Sequence, residues 1–409
     1  MDRAPRRAPK ERIMDKVLTV GDNIAVLRKA GGMTQHRLAR EARVSHSLLT
    51  KVETGDRPAS HAFVAAVARA LHVPIERVYG QPYDDSAVPT AINALRAVLR
   101  GYDLPPTDGV PLPSVNSLHA SVKAVSALRR NGKYGKLATQ LPGLIEQLTE
   151  AVHTATGADV ERLFGLLASA YYAAHGLAYR LGYADLAESI EHKLIWAAER
   201  TGDPLAAGLA QWTRVTTFQS AGDYTRGLRI LEAARSTLKD QIERNHEIAA
   251  VTVYGSMHLR AATLASRAGD TTTTSQHLAA AEELTHYAPT DNTHYHVTFG
   301  PANLRIHEVA AWVELGEPER AIQQAAKFTP PADLPSTRAG HHYIDLARAQ
   351  VLTGNRAETL TALTAAKRIA PEQTHYHPMI RETTRALLTL HRRSNPELTA
   401  FTTWLGIES

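Results

Sequence analysis

"YRLGYADLA", Tyr179 to Ala187, ends one helical run at a glycine and begins another with a polar stretch. Gly182 has no Cβ and can close a helix in the left-handed region; the small Ala187 lets a second helix fold back closely. The arrangement recurs in "RRNGKYGKL" at Gly132, "QSAGDYTRG" at Gly222, "SRAGDTTTT" at Gly269, "VELGEPERA" at Gly316 and "VLTGNRAET" at Gly354. Successive glycines lie 50, 40, 47, 47 and 38 residues apart. Five residues after them stand Leu137, Ala187, Gly227, Thr274, Ala321 and Thr359; Ala234, Ala281 and Ala366 stand twelve after in three copies. Helical hairpins repeated in this order predict an α-solenoid over 114–409. "HPMIRETTRALLTLHRR" and "NPELTAFTTWLGI" read as its terminal cap, sealed by Phe401 and Trp404.

The whole chain has 409 residues, 44% of them apolar and 21% charged, which suits two or three domains with buried cores. It has no Cys, so disulfides and thiolate metal sites are excluded. No apolar run approaches the ~18–20 residues of a membrane span. "MDRAPRRAPKER" is charged and no apolar stretch follows, so no secretory leader is expected. Together these point to a cytoplasmic, nucleoid-associated protein with no membrane partner. Charge is uneven: residues 1–80 hold 15 Lys/Arg against 8 Asp/Glu, the remainder 31 against 33. The front is therefore the surface that seeks a polyanion. Residues 1–18 form a basic arm, which either reaches phosphates or is a solvated tail.

Residues 19–80 read as five short helices. Val20, Ile24 and Leu27 have helical spacing and stop at Gly31-Gly32; Thr34 caps "QHRLAREA", Ser45 caps "HSLLTKVE", and Gly55 closes it. "SHAFVAAVARAL", capped by Ser60, and "PIERVYG", with Pro74 in its first turn, complete the set. Leu38, Ala39, Val44, Leu48, Leu49 and Val52 form the expected buried seam. His46, Ser47, Thr50, Lys51 and Thr54 are left on the outer face of the third helix, where a groove-reading helix needs polar side chains.

"MTQHRLAREARVSHSLLTKVETGDRPAS" resembles the repressor-type helix-turn-helix of the Xre/Cro family. That resemblance implies that Gln35 holds a phosphate at a helix start. It has His46, Ser47 and Lys51 face bases, with Thr50 assisting beside the cap Ser45, and makes Arg37, Arg43 and Arg57 phosphate anchors. The glycine-punctuated hairpins resemble the tetratricopeptide repeat, departing from it in length, since that period is about 34 residues. The whole is then all-α: a five-helix repressor-like head and a tetratricopeptide-like α-solenoid. This combination is similar to actinobacterial regulators and to the peptide-pheromone receptors of Gram-positive bacteria. Between the two parts, 81–113 is a linker: "GQPYDDSAVP", one helix "TAINALRAVLRGY", and the Pro-rich "DLPPTDGVPLPS". Its helix either makes a dimer contact or covers the solenoid.

In the tetratricopeptide repeat the inner face comes from the first helix of each pair. Positions 13, 10, 6 and 3 before the closing glycines select Tyr172, Tyr179, Trp212, Thr216, Ser256, Thr263, Asn303, His341 and Arg348. His307 follows Asn303 by one turn. The mixture suits a peptide or small organic effector, with Asn303 offering donor and acceptor to a peptide backbone. Each of these residues, taken alone, is better explained by packing between repeats; the effector reading rests on the face as a set.

"THYH" at 293–296 and 374–377 lacks the i,i+4 spacing of a helical zinc pair and reads as connector, so no metal is expected. Phosphate loops, nucleophile elbows and paired-carboxylate motifs are absent, so neither an enzyme nor a cofactor is expected. The expected function is sequence-specific transcription regulation by a homodimer on an inverted repeat of double-stranded DNA, modulated by a peptide or metabolite. The alternative is a scaffold whose solenoid recruits a protein partner and whose head is a tether.

Overall fold

The computed structural model describes residues 18–83, 88–104, 112–390 and 395–407. The first 17 residues of the basic arm, the acidic stretch after Tyr83 and most of the Pro-rich hinge lie outside these. Among the described residues the fold is helical apart from one short two-stranded hairpin, and no helix is long and apolar enough to cross a membrane.

The head consists of α1 (Val20–Ala30), α2 (Gln35–Ala42), α3 (His46–Glu53), α4 (His61–Ala70) and α5 (Ile75–Tyr79). Thr19, Thr34, Ser45 and Ser60 each accept a backbone N–H of the first turn they cap, leaving fewer helix-end donors unpaired. Leu38, Ala39, Leu49 and Val52 are buried with Ile24, Phe63 and Val67, while Val44 and Leu48 pack at the edge of that core.

The helix α6 (Val88–Arg100) buries Ile92, Leu95 and Leu99 in the same core as the solenoid's first hairpins. With this face it covers the solenoid, while Asn93, Ala94, Ala97 and Arg100 stay exposed.

Six hairpins follow: α7 (Val115–Arg130) with α8 (Tyr134–Thr154), α9 (Asp159–Leu181) with α10 (Ala184–Glu199), α11 (Pro204–Ala221) with α12 (Tyr224–Asn245), α13 (Ile248–Arg267) with α14 (Thr271–Leu284), α15 (Pro301–Glu314) with α16 (Pro318–Ala325), and α17 (Ser336–Leu352) with α18 (Arg356–Ile369). All six recurring glycines have φ between 62° and 83° and stand between the paired helices. The residues five places later are all buried, as are Ala234, Ala281 and Ala366. The wide spacing of the glycines comes from long helices, α9 having 23 residues, and, between Gly269 and Gly316, from the connector that holds the β-hairpin. Then α19 (Pro371–Tyr376), α20 (Pro378–Leu390) and α21 (Pro396–Leu405) end the chain, with Phe401 buried and its ring 5.4 Å from Trp404.

The curve of hairpins closes on itself. Thr337 Oγ1 donates to the Arg130 carbonyl at 2.8 Å, and the Gly135 N–H donates to Glu372 Oε2 at 2.8 Å, joining the first hairpin to α17 and α19.

The first "THYH" departs from the all-helical expectation. β1 (Asn292–His294) pairs antiparallel with β2 (Val297–Phe299), and Tyr295 and His296 turn between them at φ 46° and 66°. Two positive φ values match the right-handed strand twist, although turns of this kind usually carry Asn or Gly. Tertiary contacts hold the turn. Gly255 on α13 leaves the slot for Phe299, since a Cβ there would lie 2.4 Å from the Phe299 ring. His296 is pinned through Nε2 to Ser169 Oγ at 2.8 Å.

Candidate nucleic-acid interface and interior chamber

The third helix is held from beneath. Arg28 donates to both carboxylate oxygens of Glu53 at 2.8 and 2.9 Å, and Gln35 Nε2 donates to Glu53 Oε2 at 2.7 Å. Burial pushes the Glu53 carboxyl up, but these charged and amide hydrogen bonds outweigh it and hold the group below its ordinary range. The end of α3 is thereby tied to the ends of α1 and α2. One of the two amide N–H groups of Gln35, the residue expected at a phosphate, is spent on this tie.

The opposite face of α3 is open. Ser47, Lys51 and Thr54 are exposed, while His46 is half-buried because its ring stacks on His36 at 3.7 Å. Thr50 Oγ1 donates back to the His46 carbonyl at 3.0 Å. Ser45 Oγ accepts the Leu48 N–H at 3.1 Å and serves as the helix cap. Arg43 and Arg57 are exposed, Arg43 at φ 55° in the turn between α2 and α3. Arg37 pairs with Glu41 at 2.8 Å; a pair this exposed contributes little and a phosphate can displace it. Of the nine residues expected at DNA, Arg37, Arg43, Ser45, Ser47, Lys51 and Arg57 are exposed, and Gln35, His46 and Thr50 are half-buried.

The head is docked by its other side. Met379 of α20 inserts into the head's own core. Glu382 is hydrogen-bonded by the backbones of Val20 and Ala59, and burial raises its carboxyl above the ordinary range. The guanidinium of Arg381 covers the Tyr83 ring at 3.9 Å. Across the head, Arg69 Nη1 donates to the Gly222 carbonyl at 3.3 Å. A Cβ at Gly222 would lie 3.0 Å from that of Ala65, so a hairpin glycine is also a seat for α4.

Inside the closed curve lies a cavity of about 260 Å³. Tyr172, Tyr179, Trp212, Thr216, Asn303, His307, His341 and Arg348, chosen from the repeat register, all line it, as do Ser256 and Thr263. Asn303 differs from expectation in its chemistry. Nδ2 donates to the Thr298 carbonyl at 2.7 Å and Oδ1 accepts from Arg338 Nε at 2.8 Å, so both ends of its amide are occupied within the protein. It orients an arginine instead of offering a free amide. Trp212 likewise spends its Nε1–H on the Ser256 carbonyl at 3.1 Å, leaving its face to the Arg260 guanidinium at 3.9 Å.

Sequence reading missed the arginines of the wall: Arg129, Arg130, Arg180, Arg260, Arg267 and Arg338. Arg129 stands three before Gly132 and was within reach of the same register; Arg180 and Arg267 stand two before their glycines. It also missed His61 on α4, through which the head enters the cavity wall. His61 Nδ1 is 2.8 Å from the Tyr79 hydroxyl. Burial, then the charges of Arg267 and Arg348, keep His61 well below the ordinary imidazole range and therefore neutral.

Residues 20–78 match the family described as Helix-turn-helix domain. No curated protein matches the chain. The head is thus a helix-turn-helix domain of the kind with which regulators bind double-stranded DNA, and its matched residues run from the first residue of α1 to Val78 in α5.

Proposed function

We propose that this chain is a sequence-specific transcription regulator that binds an inverted repeat as a homodimer and is controlled by a small effector held in the interior chamber. In this reading α3 enters the major groove, with His46, Ser47 and Lys51 at base edges and Arg37, Arg43 and Arg57 on phosphates. The single observation that carries the control is His61. It belongs to the DNA-binding head, yet it forms part of the chamber wall together with Tyr179, His341 and Arg348 of the solenoid. An effector there touches both bodies at once, so its binding energy can favour one seating of the head over another. A coupling of ~1–3 kcal/mol is enough for a switch. The scaffold alternative has less support, because the inner face leaves a cavity of only about 260 Å³, too small for a folded partner.

The test is selection of bound duplexes from random DNA by the full chain. The proposal expects an inverted repeat whose half-sites lie about one helical turn apart, ~10 base pairs. Enrichment of no sequence, with binding that simply collapses as salt rises, would refute it.

A further inference from the structure

The chamber is divided by charge. On one side, Arg348 pairs with Glu314 at 3.1 Å and Asp345 at 2.8 Å, and Arg267 lies 3.5 Å from Glu314. Those cations are neutralised. On the other side, Arg129, Arg180, Arg260 and Arg338 have no ion-pair partner among the described residues. Arg129 Nη2 donates to the His296 carbonyl at 2.7 Å, and Arg180 Nη2 donates to His341 Nε2 at 2.8 Å. Arg260 donates to Gln219 Oε1 at 3.0 Å and Thr216 Oγ1 at 3.5 Å. Arg338 donates to Asn303 Oδ1 at 2.8 Å and His307 Nε2 at 3.3 Å. Every acceptor is neutral. The Nε atoms of Arg129 and Arg260 are buried with no hydrogen-bond partner at all.

These four guanidiniums are half-buried around the cavity. Cations drawn partly out of water without a counter-charge are costly, and a fold keeps several together only where something offsets them. Burial pulls both Arg260 and Arg338 down to about 10, the direction expected of cations short of an anion. The neighbouring histidines do not supply one: His307 and His341 accept from arginines and are held neutral well below their ordinary range, first by burial. The guanidinium forks also have their planes fixed, Arg260 on Trp212 at 3.9 Å and Arg129 on Tyr172 at 4.6 Å, which leaves N–H edges to grip a planar or tetrahedral anion.

We infer that this half of the chamber is an anion site, taking a compact small molecule with two or more negative charges on phosphate or carboxylate groups, gripped by Arg129, Arg180, Arg260 and Arg338. The inference rests on the reading of the chamber as the effector site and names that effector's chemical class. The volume of about 260 Å³ is below the ~300–1,000 Å³ of most ligand pockets, which favours a small metabolite over a peptide.

The experiment is calorimetric titration of the full chain, without DNA, with pyrophosphate, glucose 6-phosphate, citrate and, as neutral control, glucose. The expected result is saturable binding of at least one anion and none of glucose; phosphate against citrate separates the two anionic groups. The R260Q/R338Q variant should bind that anion at least about 100-fold more weakly, as two charge-assisted hydrogen-bonding groups are lost. In the empty state the same variant should melt at a higher temperature than the parent, because two unpaired half-buried charges are gone; that readout also shows that it folds. Binding of none of the anions, equal binding of glucose, or undiminished binding by R260Q/R338Q would overturn the inference. If the anion binds as expected and leaves DNA affinity unchanged, the anion site stands and the effector reading falls.

Discussion

His61 of the helix-turn-helix head and His377 at the start of the terminal cap meet edge to face, their ring centroids 6.3 Å apart. His377 in turn meets His341 at 5.3 Å, and His341 accepts from Arg180. Two neutral imidazoles, His377 and His341, therefore stand between His61 of the head and Arg180 of the chamber wall. Under the proposed function, this contact is the route by which a ligand would act on DNA binding.

Replacing His61 with Ala removes the head's contribution to that wall while leaving α3 untouched. The expected outcome is that anion binding persists but no longer changes DNA affinity, a loss of whatever coupling the parent shows, ~5–150-fold on ordinary allosteric scales. Fluorescence anisotropy of labelled operator, with and without pyrophosphate, checks it. Coupling that survives in H61A would place the communication elsewhere.

Met379 is 2% exposed and belongs to the head's core although it comes from α20. Met379→Ala should cost ~2–5 kcal/mol, as for other buried large-to-small changes. Hydrogen exchange should rise in α1 and α4 well before it rises in α12 to α14. Uniform loss of protection would mean that the head and solenoid unfold as one unit.

Gly222 sits at φ 71° with its carbonyl accepting from Arg69. Gly222→Ala combines a left-handed cost of roughly 1–2 kcal/mol with crowding of Ala65 on α4. The head should be loosened and its cleavage by limited proteolysis accelerated, with the helical circular-dichroism signal little changed. Cleavage at the parental rate would mean that this seat does not hold the head.

His296 is buried between Ser169 and Ser126, and burial together with Arg129 and Arg130 pushes its imidazole down to about 3. Its folded value lies below the unfolded ~6.5, so its stabilising contribution is complete above pH ~6.5 and is lost as the pH falls toward 3. Unfolding free energy should therefore decline with acidification, and H296N should flatten that decline by up to one proton, about 1.4 kcal/mol per pH unit. An unchanged slope in H296N would show that the ring is already protonated in the fold.

Much of this architecture is legible from short-range chemistry. Gly182 and its five counterparts mark the hairpin turns because left-handed backbone has few other occupants, and Thr34, Ser45 and Ser60 cap their helices with their own hydroxyls. The repeat register brings Tyr172, Trp212, Asn303 and His341 to one cavity because a fixed helix-to-helix rotation carries the same positions inward. What escaped reading depends on long-range contact. The turn at Tyr295-His296 has no turn residues and forms because Phe299 fits over Gly255. The seating of the head rests on Met379 and Glu382, more than 300 residues away in sequence. Likewise, an arginine such as Arg338 reads as solvated until the ring of hairpins encloses it.

The account stands most directly on α3 as the reader of DNA. The decisive measurement is the affinity of the full chain for its selected operator against a scrambled duplex, before and after H46A/K51A substitution. Loss of two base contacts at ~1–3 kcal/mol each predicts at least about 30-fold weaker operator binding, with scrambled-DNA binding little altered and helical content intact. A variant that still prefers the operator over the scrambled duplex by the parent's ratio would contradict it.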